Sequence, residues 1–330
     1  MIQPFRVFRS LDEIPSDFAP SALTIGNFDG VHAGHRAILR RVVEVARAQQ
    51  LRPSVLTFDP HPAAVVAPAR MPRLMTSPAQ RTALMHAEGI AQVLILPFDQ
   101  AVAQLTAEEF VERVLVAKLG VRAVLVGHDF CFGNKQSGNV RVLRELGGKY
   151  GFSTEEVKAV QLRGQIVSST GLRQMIEKGQ VSQAARMLQR PYALEGDVVA
   201  GRGVGSRQTV PTLNLSTQTE VLPATGVYIT RTHDLDDGRA WPSATNIGYR
   251  PTFADGRELS IETFLLEPLD GETPRRIRVE FLRRVRAERA FPDAQALKQQ
   301  ILRDAARAQA YFRRVKKWTN RSLFPADSMA

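Results

Sequence analysis

The chain has 330 residues, of which 44% are hydrophobic and 23% charged, a composition typical of globular proteins with room for two domains. The N-terminal stretch MIQPFRVFRSLDEIP lacks the apolar segment of a secretory signal, and the sequence contains no run of about 18 apolar residues that could span a membrane. The one cysteine, Cys131, can form neither an internal disulfide nor a thiolate metal site by itself. These features predict a cytoplasmic protein without a membrane partner.

The net charge of +11 leaves several partners open. Such a charge suits contact with nucleic acid or a membrane surface, and it also suits small phosphorylated substrates. Basic residues crowd near the C-terminus, in RRVRAER (283–289) and FRRVKKW (312–318). The second run is equally typical of the solvated face of a helix. Charge alone therefore does not identify what the protein binds.

The first half of the chain alternates short apolar runs with helical patterns. The predicted strands are ALTIG (22–26), SVLTF (54–58), QVLILP (92–97) and AVLVG (123–127). A helical pattern follows His35, and Thr106 with Glu109 forms a predicted capping box. This alternation is typical of a Rossmann-like, doubly wound α/β domain with a parallel sheet, in which ligands bind at the carboxyl ends of the strands. We predict this domain over residues 1–186.

Beyond residue 186 the apolar residues follow a period of two. LSIETFLL (259–266) and RIRVEFL (276–282) alternate apolar and polar positions, and DDG (236–238) is a good hairpin turn. A final helix is predicted to begin after an N-cap at Asp293, with an apolar stripe from Leu297 to Phe312. These features predict an antiparallel β-barrel with a C-terminal helix over residues 187–330.

The stretch GNFDGVHAGH (26–35) joins the first predicted strand to a helix. Its glycines let the backbone turn sharply or approach a ligand closely, and a helix N-terminus attracts phosphate. His32 and His35 would add hydrogen-bond donors for a polyphosphate. Two other interpretations stay open here: a metal site, for which a His-x-x-His pair is weak evidence, and a structural histidine pair in a glycine-rich turn.

Two later segments of the first half also carry polar groups. In VSSTGLR (167–173), Ser169 and Thr170 can hydrogen-bond a phosphate at the start of a helix, and Arg173 can offer a planar fork to it. VGHDFCFGNKQSG (126–138) follows the end of a predicted strand and carries His128 and Asp129. Taken singly, an ordinary capped helix explains the first segment and a polar surface loop explains the second.

A second group of polar residues lies in the predicted barrel. The glycines of GRGVGSRQTVPTLNL (201–215) can cradle phosphates, although a glycine-rich hairpin is the alternative. Thr212 and Asn214 share one side of a strand, and a hydroxyl with an amide oxygen suits Mg²⁺. Glu262 lies in mid-strand, where a carboxylate either faces solvent or acts as a general base.

Taken together, the motifs of the first half resemble those of a known family. GNFDGVHAGH, FDPHP (58–62), LPFD (96–99), VGHDFCFG (126–133) and VSSTGLR are similar to motifs in the adenylyltransferase half of bacterial bifunctional riboflavin kinase/FAD synthetases, which belong to the nucleotidyltransferase superfamily. The resemblance covers most of residues 20–190. One departure is His128, where the family more often has an acidic residue.

This resemblance implies transfer of AMP from ATP to FMN, with FAD and pyrophosphate as products. His32 and His35 would be catalytic and would steady the ATP phosphates as charge builds on the leaving pyrophosphate. Ser169, Thr170 and Arg173 would hold the β- and γ-phosphates. The other predicted ATP contacts are Gly26, Asn27, Phe28, Asp29 and Gly34. The predicted flavin or nucleotide contacts are Phe58, Pro60, Asp129 and Phe130.

The second half resembles the riboflavin kinase domain of the same enzymes through PTLN (211–214), GVYIT (226–230), NIGYRPTF (246–253) and IETFLL (261–266). The resemblance implies transfer of the ATP γ-phosphate to the 5′-hydroxyl of riboflavin. Glu262 would be the catalytic base, and Thr212 and Asn214 would hold Mg²⁺ and ATP. The other predicted ATP contacts of the kinase are Gly201, Gly203, Gly205 and Ser206. The chain departs from the family in the 205–210 loop and at Phe264, where the family often has histidine.

The sequence therefore predicts a bifunctional enzyme that makes FMN and then FAD. Its expected small-molecule partners are riboflavin, FMN and ATP, with Mg²⁺ as cofactor, and it is expected to be a monomer or a weak homo-oligomer. Two alternatives stay open: an adenylyltransferase whose barrel only binds, and an RNA-binding protein that uses the positive charge. An aromatic content of 7%, without an aromatic and basic stacking stretch, disfavours nucleic acid as a partner.

Overall fold

A computed structural model describes residues 4–200, 212–251 and 257–319 of the chain. The chain divides into two compact units, residues 1–171 and 172–330. The first unit contains the predicted parallel sheet, and the second contains the predicted antiparallel barrel with its C-terminal helix. Both parts of the predicted fold class are therefore confirmed.

Ten strands lie in residues 4–171, the described part of the first unit. They are β1 Arg6–Phe8, β2 Ser21–Ile25, β3 Arg52–Phe58, β4 Gln92–Leu96, β5 Val121–Gly127, β6 Cys131–Phe132, β7 Gly138–Asn139, β8 Ser153–Val157, β9 Gln161–Leu162 and β10 Gln165–Ile166. Six of them form one parallel sheet in the order β1-β4-β3-β2-β5-β8, and the four short strands pair as β6 with β7 and β9 with β10. The four strands predicted from the sequence are β2 to β5. The short edge strands β1 and β8 were not predicted.

Helices cover both faces of this sheet. They are α1 Ala33–Ala48, α2 Pro62–Val66, α3 Pro78–Ala87, α4 Gln100–Gln104, α5 Ala107–Glu109 and α6 Val140–Tyr150. The predicted capping box of Thr106 and Glu109 is present at the start of α5, and the helix continues over 110–116 with π-type hydrogen bonding. Because strands alternate their side chains, Leu23, Leu56, Leu94 and Val124 pack into the layer that contains residues 110–115. Ala22, Val55, Val93 and Leu125 pack into the opposite layer, which contains α1.

The strand order places a ligand-binding crevice beside β2. From β2 the chain passes through α1 to β3 on one side, whereas β5 pairs with the other side of β2. Such a reversal opens a crevice at the carboxyl ends of the two strands. The stretch GNFDGVHAGH follows β2 and the 128–133 loop follows β5, so both begin at this crevice.

The second unit consists of a closed barrel and its helices. The strands are β11 Tyr192–Val199, β12 Thr212–Ser216, β13 Gly226–Asp234, β14 Ala240–Pro251, β15 Arg257–Leu265 and β16 Arg276–Ala287. They are antiparallel and close in the order β11-β12-β15-β14-β13-β16. The predicted inward face of β16 is confirmed, because Ile277, Val279 and Phe281 are fully buried. The predicted hairpin turn at 236–238 joins β13 to β14.

Three further helices complete the structure: α7 Ser169–Glu177, which crosses the division between the units, α8 Val181–Leu188 and α9 Ala294–Thr319. Asp293 caps α9 as predicted, since its Oδ1 accepts a hydrogen bond of 2.7 Å from the Ala296 N–H. Ala308 of α9 is buried against Ile229 and Ala244 of the barrel. Within the described ranges, no helix is both long and apolar enough to cross a membrane.

Candidate active sites

The turn between β2 and α1 has an unusual backbone conformation. Phe28, Gly30 and Val31 have φ angles of 50°, 78° and 37°, in the left-handed region that glycine tolerates and other residues rarely adopt. Phe28 and Val31 are also almost fully buried. Strained backbone of this kind persists only where the surroundings enforce it, and it concentrates at functional sites.

His32 and His35 lie together at the N-terminus of α1. His32 caps the helix, because its Nδ1 accepts a hydrogen bond of 3.3 Å from the His35 N–H. The two rings stack with a centroid separation of 3.6 Å and an angle of 15°. Since Nδ1 accepts, a neutral His32 ring carries its hydrogen on Nε2. The arrangement thus orients an N–H donor at the positive end of a helix of 16 residues.

Gly34 leaves the space that the His32 ring needs. A Cβ at position 34 would lie 3.2 Å from both Nδ1 and Cε1 of that ring. Gly26 is similarly close to the Phe28 ring, at 3.2 Å. These two predicted glycines therefore act by allowing side chains of the same motif to pack over them.

Asp29 fastens the turn to a segment distant in sequence. Its carboxylate is buried and accepts hydrogen bonds from the Met75 N–H at 3.0 Å, the Thr76 N–H at 3.1 Å and the Thr76 hydroxyl at 3.0 Å. The Thr76 hydroxyl in turn accepts a bond of 3.0 Å from the Gly30 N–H. Asp29 thereby supports the loop, whereas its contact with ATP stays a prediction.

Asn27 is held through both its backbone and its side chain. Its carbonyl oxygen accepts a hydrogen bond of 2.8 Å from Nη1 of Arg81 and a longer one of 3.4 Å from the Thr57 hydroxyl. Its side-chain amide lies 3.0 Å from Nε2 of His61, the histidine of FDPHP. The start of the motif is therefore fixed by side chains from β3 and α3 and from the N-cap of α2.

The structure brings VSSTGLR to the same turn. The Ser169 hydroxyl donates a hydrogen bond of 3.3 Å to the Asp29 carbonyl oxygen, and the Ser168 hydroxyl accepts one of 3.2 Å from the Gly171 N–H. Thr170 is exposed beside Ser169 in the first turn of α7. Arg173 is half-buried one turn further along α7, in the second unit. The predicted hydroxyl of Ser169 therefore contacts the turn that leads into the histidine pair, whereas the phosphate contacts of Ser169, Thr170 and Arg173 stay predictions.

The predicted flavin or nucleotide contacts lie at the ends of β3 and β5. Asp129 is exposed and lies close to Gly127 at the end of β5. A Cβ atom added to Gly127 would lie 3.2 Å from Oδ1 of Asp129. Phe130 is half-buried and stacks on Phe132 at 5.4 Å. Phe58 is half-buried against Phe98, and Pro60 is exposed. The sheet edge thus collects all four residues, and the division of their roles stays a prediction.

The sequence reasoning missed the segment Met75–Arg81, which supplies most of the bonds to the turn. One local signal was present, because TSPAQ has the form of a capping box with proline in the first turn, and the structure shows that box between Ser77 and Gln80. That signal locates the start of α3. It does not reveal that the segment packs against residues 27–30, since that contact depends on the sheet order.

The second candidate site lies on three neighbouring strands of the barrel. Asn214 on β12 is the register partner of Glu262 on β15, and Glu262 is the register partner of Asn246 on β14. Thr212 lies two residues before Asn214, and both are half-buried as the predicted period requires. Oε1 of Glu262 accepts a hydrogen bond of 3.3 Å from the Ser260 hydroxyl. The predicted base is therefore the cross-strand neighbour of one predicted metal ligand, Asn214, whereas Thr212 is the register partner of Phe264.

A cavity lies on each side of this group. One, of about 250 Å³, is lined by Asn246, Glu262 and Phe264 together with Phe291 and the first turns of α9. The other, of about 450 Å³, is lined by Thr212 and Asn214, the end of β11 and residues 273–275. Described residues that line the second cavity include Arg275 and no carboxylate. Its charge therefore suits an anionic ligand.

Several predicted residues lie outside the described ranges. They are Gly201, Gly203, Gly205 and Ser206, with the departures at Thr209 and Val210. Among the residues that the structure does describe, no group of three or more histidine, cysteine, aspartate and glutamate side chains could hold a metal ion. A hydroxyl and an amide oxygen, as in Thr212 and Asn214, are the remaining type of ligand for a hard cation.

Comparisons with known proteins match both units. A family model for FAD synthetase matches residues 14–171, and a model for riboflavin kinase matches residues 188–312. A bifunctional riboflavin kinase/FMN adenylyltransferase from Pseudomonas fluorescens is 36% identical over 305 residues, covering 92% of this chain and 97% of that protein. One from Escherichia coli (strain K12) is 34% identical over 307 residues, covering 93% and 97%. A crystal structure described as a macrolide-efflux protein from Streptococcus pneumoniae matches with a TM-score of 0.79 and 25% identity, over 94% of this chain and 99% of that one.

Proposed function

Because the chain belongs to the family of bifunctional riboflavin kinases/FMN adenylyltransferases, we propose that its two reactions occur at the two sites described above. The chain is a transferase that phosphorylates riboflavin to FMN and adenylylates FMN to FAD, and its substrates are riboflavin, FMN and ATP. We place adenylylation at the turn between β2 and α1, and phosphorylation in the barrel.

In the adenylyl transfer, a phosphate oxygen of FMN attacks the α-phosphorus of ATP, and pyrophosphate leaves. The observation that supports this location is the stacked pair of His32 and His35 at the N-terminus of α1. The Ser169 hydroxyl donates a hydrogen bond to the carbonyl oxygen of Asp29 in the same turn. The His32 Nε2–H and the N-terminus of α1 place donors where negative charge grows on the β- and γ-phosphates, and the Ser169 hydroxyl holds the turn. Thr170 and Arg173 of α7 stay predicted contacts of the β- and γ-phosphates. The chain's task is positioning and charge stabilisation, so no covalent intermediate is needed.

In the phosphorylation, the 5′-hydroxyl of riboflavin attacks the γ-phosphorus of ATP, the bond from that phosphorus to the bridging oxygen breaks, and ADP leaves. Glu262 accepts the proton of that hydroxyl, and Ser260 holds its carboxylate in place. Thr212 and Asn214 would hold Mg²⁺, which would neutralise negative charge on the transferring phosphates. Direct register partners have Cβ atoms about 4.5–5.5 Å apart, so Asn214 and Glu262 can act on the two reacting groups from the two cavities.

The same proposal includes the setting of the enzyme. The kinase domain begins near residue 187, next to the start of the matched kinase model at residue 188. The enzyme is cytoplasmic, monomeric or weakly self-associating, and needs neither nucleic acid nor a membrane. The positive charge then serves its phosphorylated substrates.

The test follows FMN and FAD over time in full-length protein supplied with riboflavin, ATP and Mg²⁺. His32→Ala should abolish FAD formation and leave riboflavin phosphorylation unchanged, because only one site uses that ring. Glu262→Gln should abolish FMN formation from riboflavin and leave FAD formation from added FMN unchanged.

Equal loss of both activities in either variant would contradict two separate sites. Full kinase turnover in Glu262→Gln would exclude Glu262 as the base. Removal of Mg²⁺ with a chelator should stop a reaction that needs the cation, and added Mg²⁺ should restore it. The two reactions are tested separately in this way.

A further inference from the structure

The segment Met75–Arg81 forms several hydrogen bonds to the turn between β2 and α1. Met75 and Thr76 bond the carboxylate of Asp29, Thr76 also bonds the Gly30 N–H, and Arg81 bonds the carbonyl of Asn27. Two peptide units of the turn and the side chain of Asp29 are thereby tied to one segment. The turn contains the left-handed Phe28 and Val31, so these bonds are the most direct source of their enforced conformation.

Arg81 is an unusual member of this segment because it buries a charged group almost completely. Its exposed fraction is 2%, and the described parts of the chain show no ion pair between it and a carboxylate, although the charges of Asp29 and Asp59 act on it from nearby. Its Nη1 donates to the Asn27 carbonyl, whereas its Nε meets no acceptor among those residues. Burying a guanidinium without a paired carboxylate costs several kcal/mol. If packing were the side chain's only role, a hydrophobic residue would fill this position with a lower free-energy cost of burial.

The charge of Arg81 persists despite this burial. Desolvation lowers the pKa of the Arg81 guanidinium, and the nearby charges of Asp29 and Asp59 raise it. A guanidinium starts from a pKa so high that it stays protonated at neutral pH. A positive charge is therefore hydrogen-bonded to the start of the turn that leads into His32 and His35.

We propose that Arg81 is a positioning residue for adenylyl transfer, which holds the Asn27 carbonyl and supplies a buried positive charge under the ATP-phosphate site. This inference rests on the proposed location of that site at the β2–α1 turn. The bond to Asn27 fixes where the turn begins, and Asp29 fixes its middle. The buried charge is preorganised, so it favours negative charge on the nucleotide without any rearrangement during the reaction.

The experiment compares full-length wild type with Arg81→Lys, Arg81→Met and Arg40→Met. Arg81→Lys keeps a positive charge and a donor, whereas Arg81→Met keeps only the approximate length. Arg40→Met is the matched control, since Arg40 is a half-exposed arginine of the same unit that pairs with Glu88. For each protein, kcat and the KM for ATP are measured in both reactions, together with the thermal unfolding midpoint.

Arg81→Met should lower kcat for FAD formation at least tenfold, a barrier increase of about 1.4 kcal/mol, measured well below its unfolding midpoint. Arg81→Lys should stay within about threefold of wild type in that reaction, because it keeps the charge. Riboflavin phosphorylation should change in neither variant. Arg40→Met should match wild type in both reactions.

Three results would overturn the inference. The first is a folded Arg81→Met protein with a lower midpoint and an unchanged kcat for FAD formation, which identifies a purely structural role. The second is a folded Arg81→Lys protein as impaired as Arg81→Met. The third is retention of FAD formation in Arg81→Met while His32→Ala is inactive, which rejects the role of Arg81 and keeps the proposed site. If Arg81→Met does not fold, the rate of Arg81→Lys decides the role of the charge.

Discussion

At the scale of single residues, the first site depends on how the His32 ring is oriented. The His35 N–H holds one ring nitrogen, the His35 ring covers one face, and Gly34 leaves the space beside it. Each of these contacts fixes the direction of Nε2. A change that moves the ring should therefore reduce the rate even when both histidines remain.

Gly34→Ala is the sharpest test of this orientation. The added Cβ would approach the His32 ring to 3.2 Å, which is closer than most real contacts, so the ring must shift by a few tenths of an ångström. We expect kcat for FAD formation to fall about tenfold, in line with the sensitivity of such reactions to small displacements. Steady-state rates of both reactions provide the measurement.

Gly148→Ala is the matched control in the same unit. Gly148 lies in α6, and a Cβ there would meet no atom within 4 Å. Alanine should leave both activities intact and raise the stability of the helix by about 0.5–1 kcal/mol. An unchanged rate of FAD formation in Gly34→Ala would show that the His32 ring tolerates the added methyl group.

At the scale of elements, the first site is a turn held by a distant segment. The turn joins β2 to α1, whereas the segment Met75–Arg81 runs into α3 after β3 and α2. The Thr76 hydroxyl is the central link, because it donates to Asp29 and accepts from Gly30. Loss of this link should therefore affect both the backbone conformation of the turn and the stability of the structure around α3.

Thr76→Val removes this link and keeps the shape of the side chain. It leaves the Gly30 N–H without its acceptor and takes one donor from the buried Asp29 carboxylate, so unfolding of the first unit should need about 1–3 kcal/mol less. FAD formation should fall as well, since the turn loses an anchor. Urea unfolding and turnover measure the two effects.

Thr82→Val provides the comparison, because among the described residues the Thr82 hydroxyl bonds the Ala79 carbonyl of α3 and no other group. That variant should lose less stability and keep FAD formation. If both threonine variants behaved alike, the Thr76 hydroxyl would have no special role in the turn.

At the scale of the whole molecule, residues 172–187 lie between the two matched family models but pack with the second unit. In α8, Val181, Ala184 and Leu188 are buried, and the Ser182 hydroxyl donates a hydrogen bond of 2.9 Å to the Leu282 carbonyl of β16. A kinase fragment that begins at residue 187 therefore leaves this face of β16 uncovered.

We expect fragments 172–330 and 187–330 to differ in stability more than in chemistry. Both contain Thr212, Asn214 and Glu262, so each should phosphorylate riboflavin while folded. The longer fragment should unfold at a higher temperature, because it keeps the apolar contacts of α8. Thermal unfolding and kinase turnover are the measurements. A folded but inactive longer fragment would show that the kinase needs the first unit.

The sequence by itself determined the fold class, the four central strands of the sheet and the identity of the site motifs, because these depend on local periodicity and on residue types at short spacing. The capping box at Thr106, the N-cap at Asp293 and the inward face of β16 follow from the same local rules. The bifunctional activity followed from the resemblance of those motifs to a family, not from periodicity.

Only the tertiary structure decided which distant residues complete each site. In the first unit, hydrogen bonds join Asp29 to Met75 and Thr76, and Asn27 to Arg81, across 46 to 54 positions of sequence. In the second unit, Asn214 and Glu262 are register partners 48 positions apart. Each pairing depends on sheet order or barrel register. Burial of a charge is likewise invisible in a single sequence, since an arginine on a helix is usually exposed. The physical reason is that strand pairing and packing select these neighbours through contacts over the whole domain, and no local pattern encodes them.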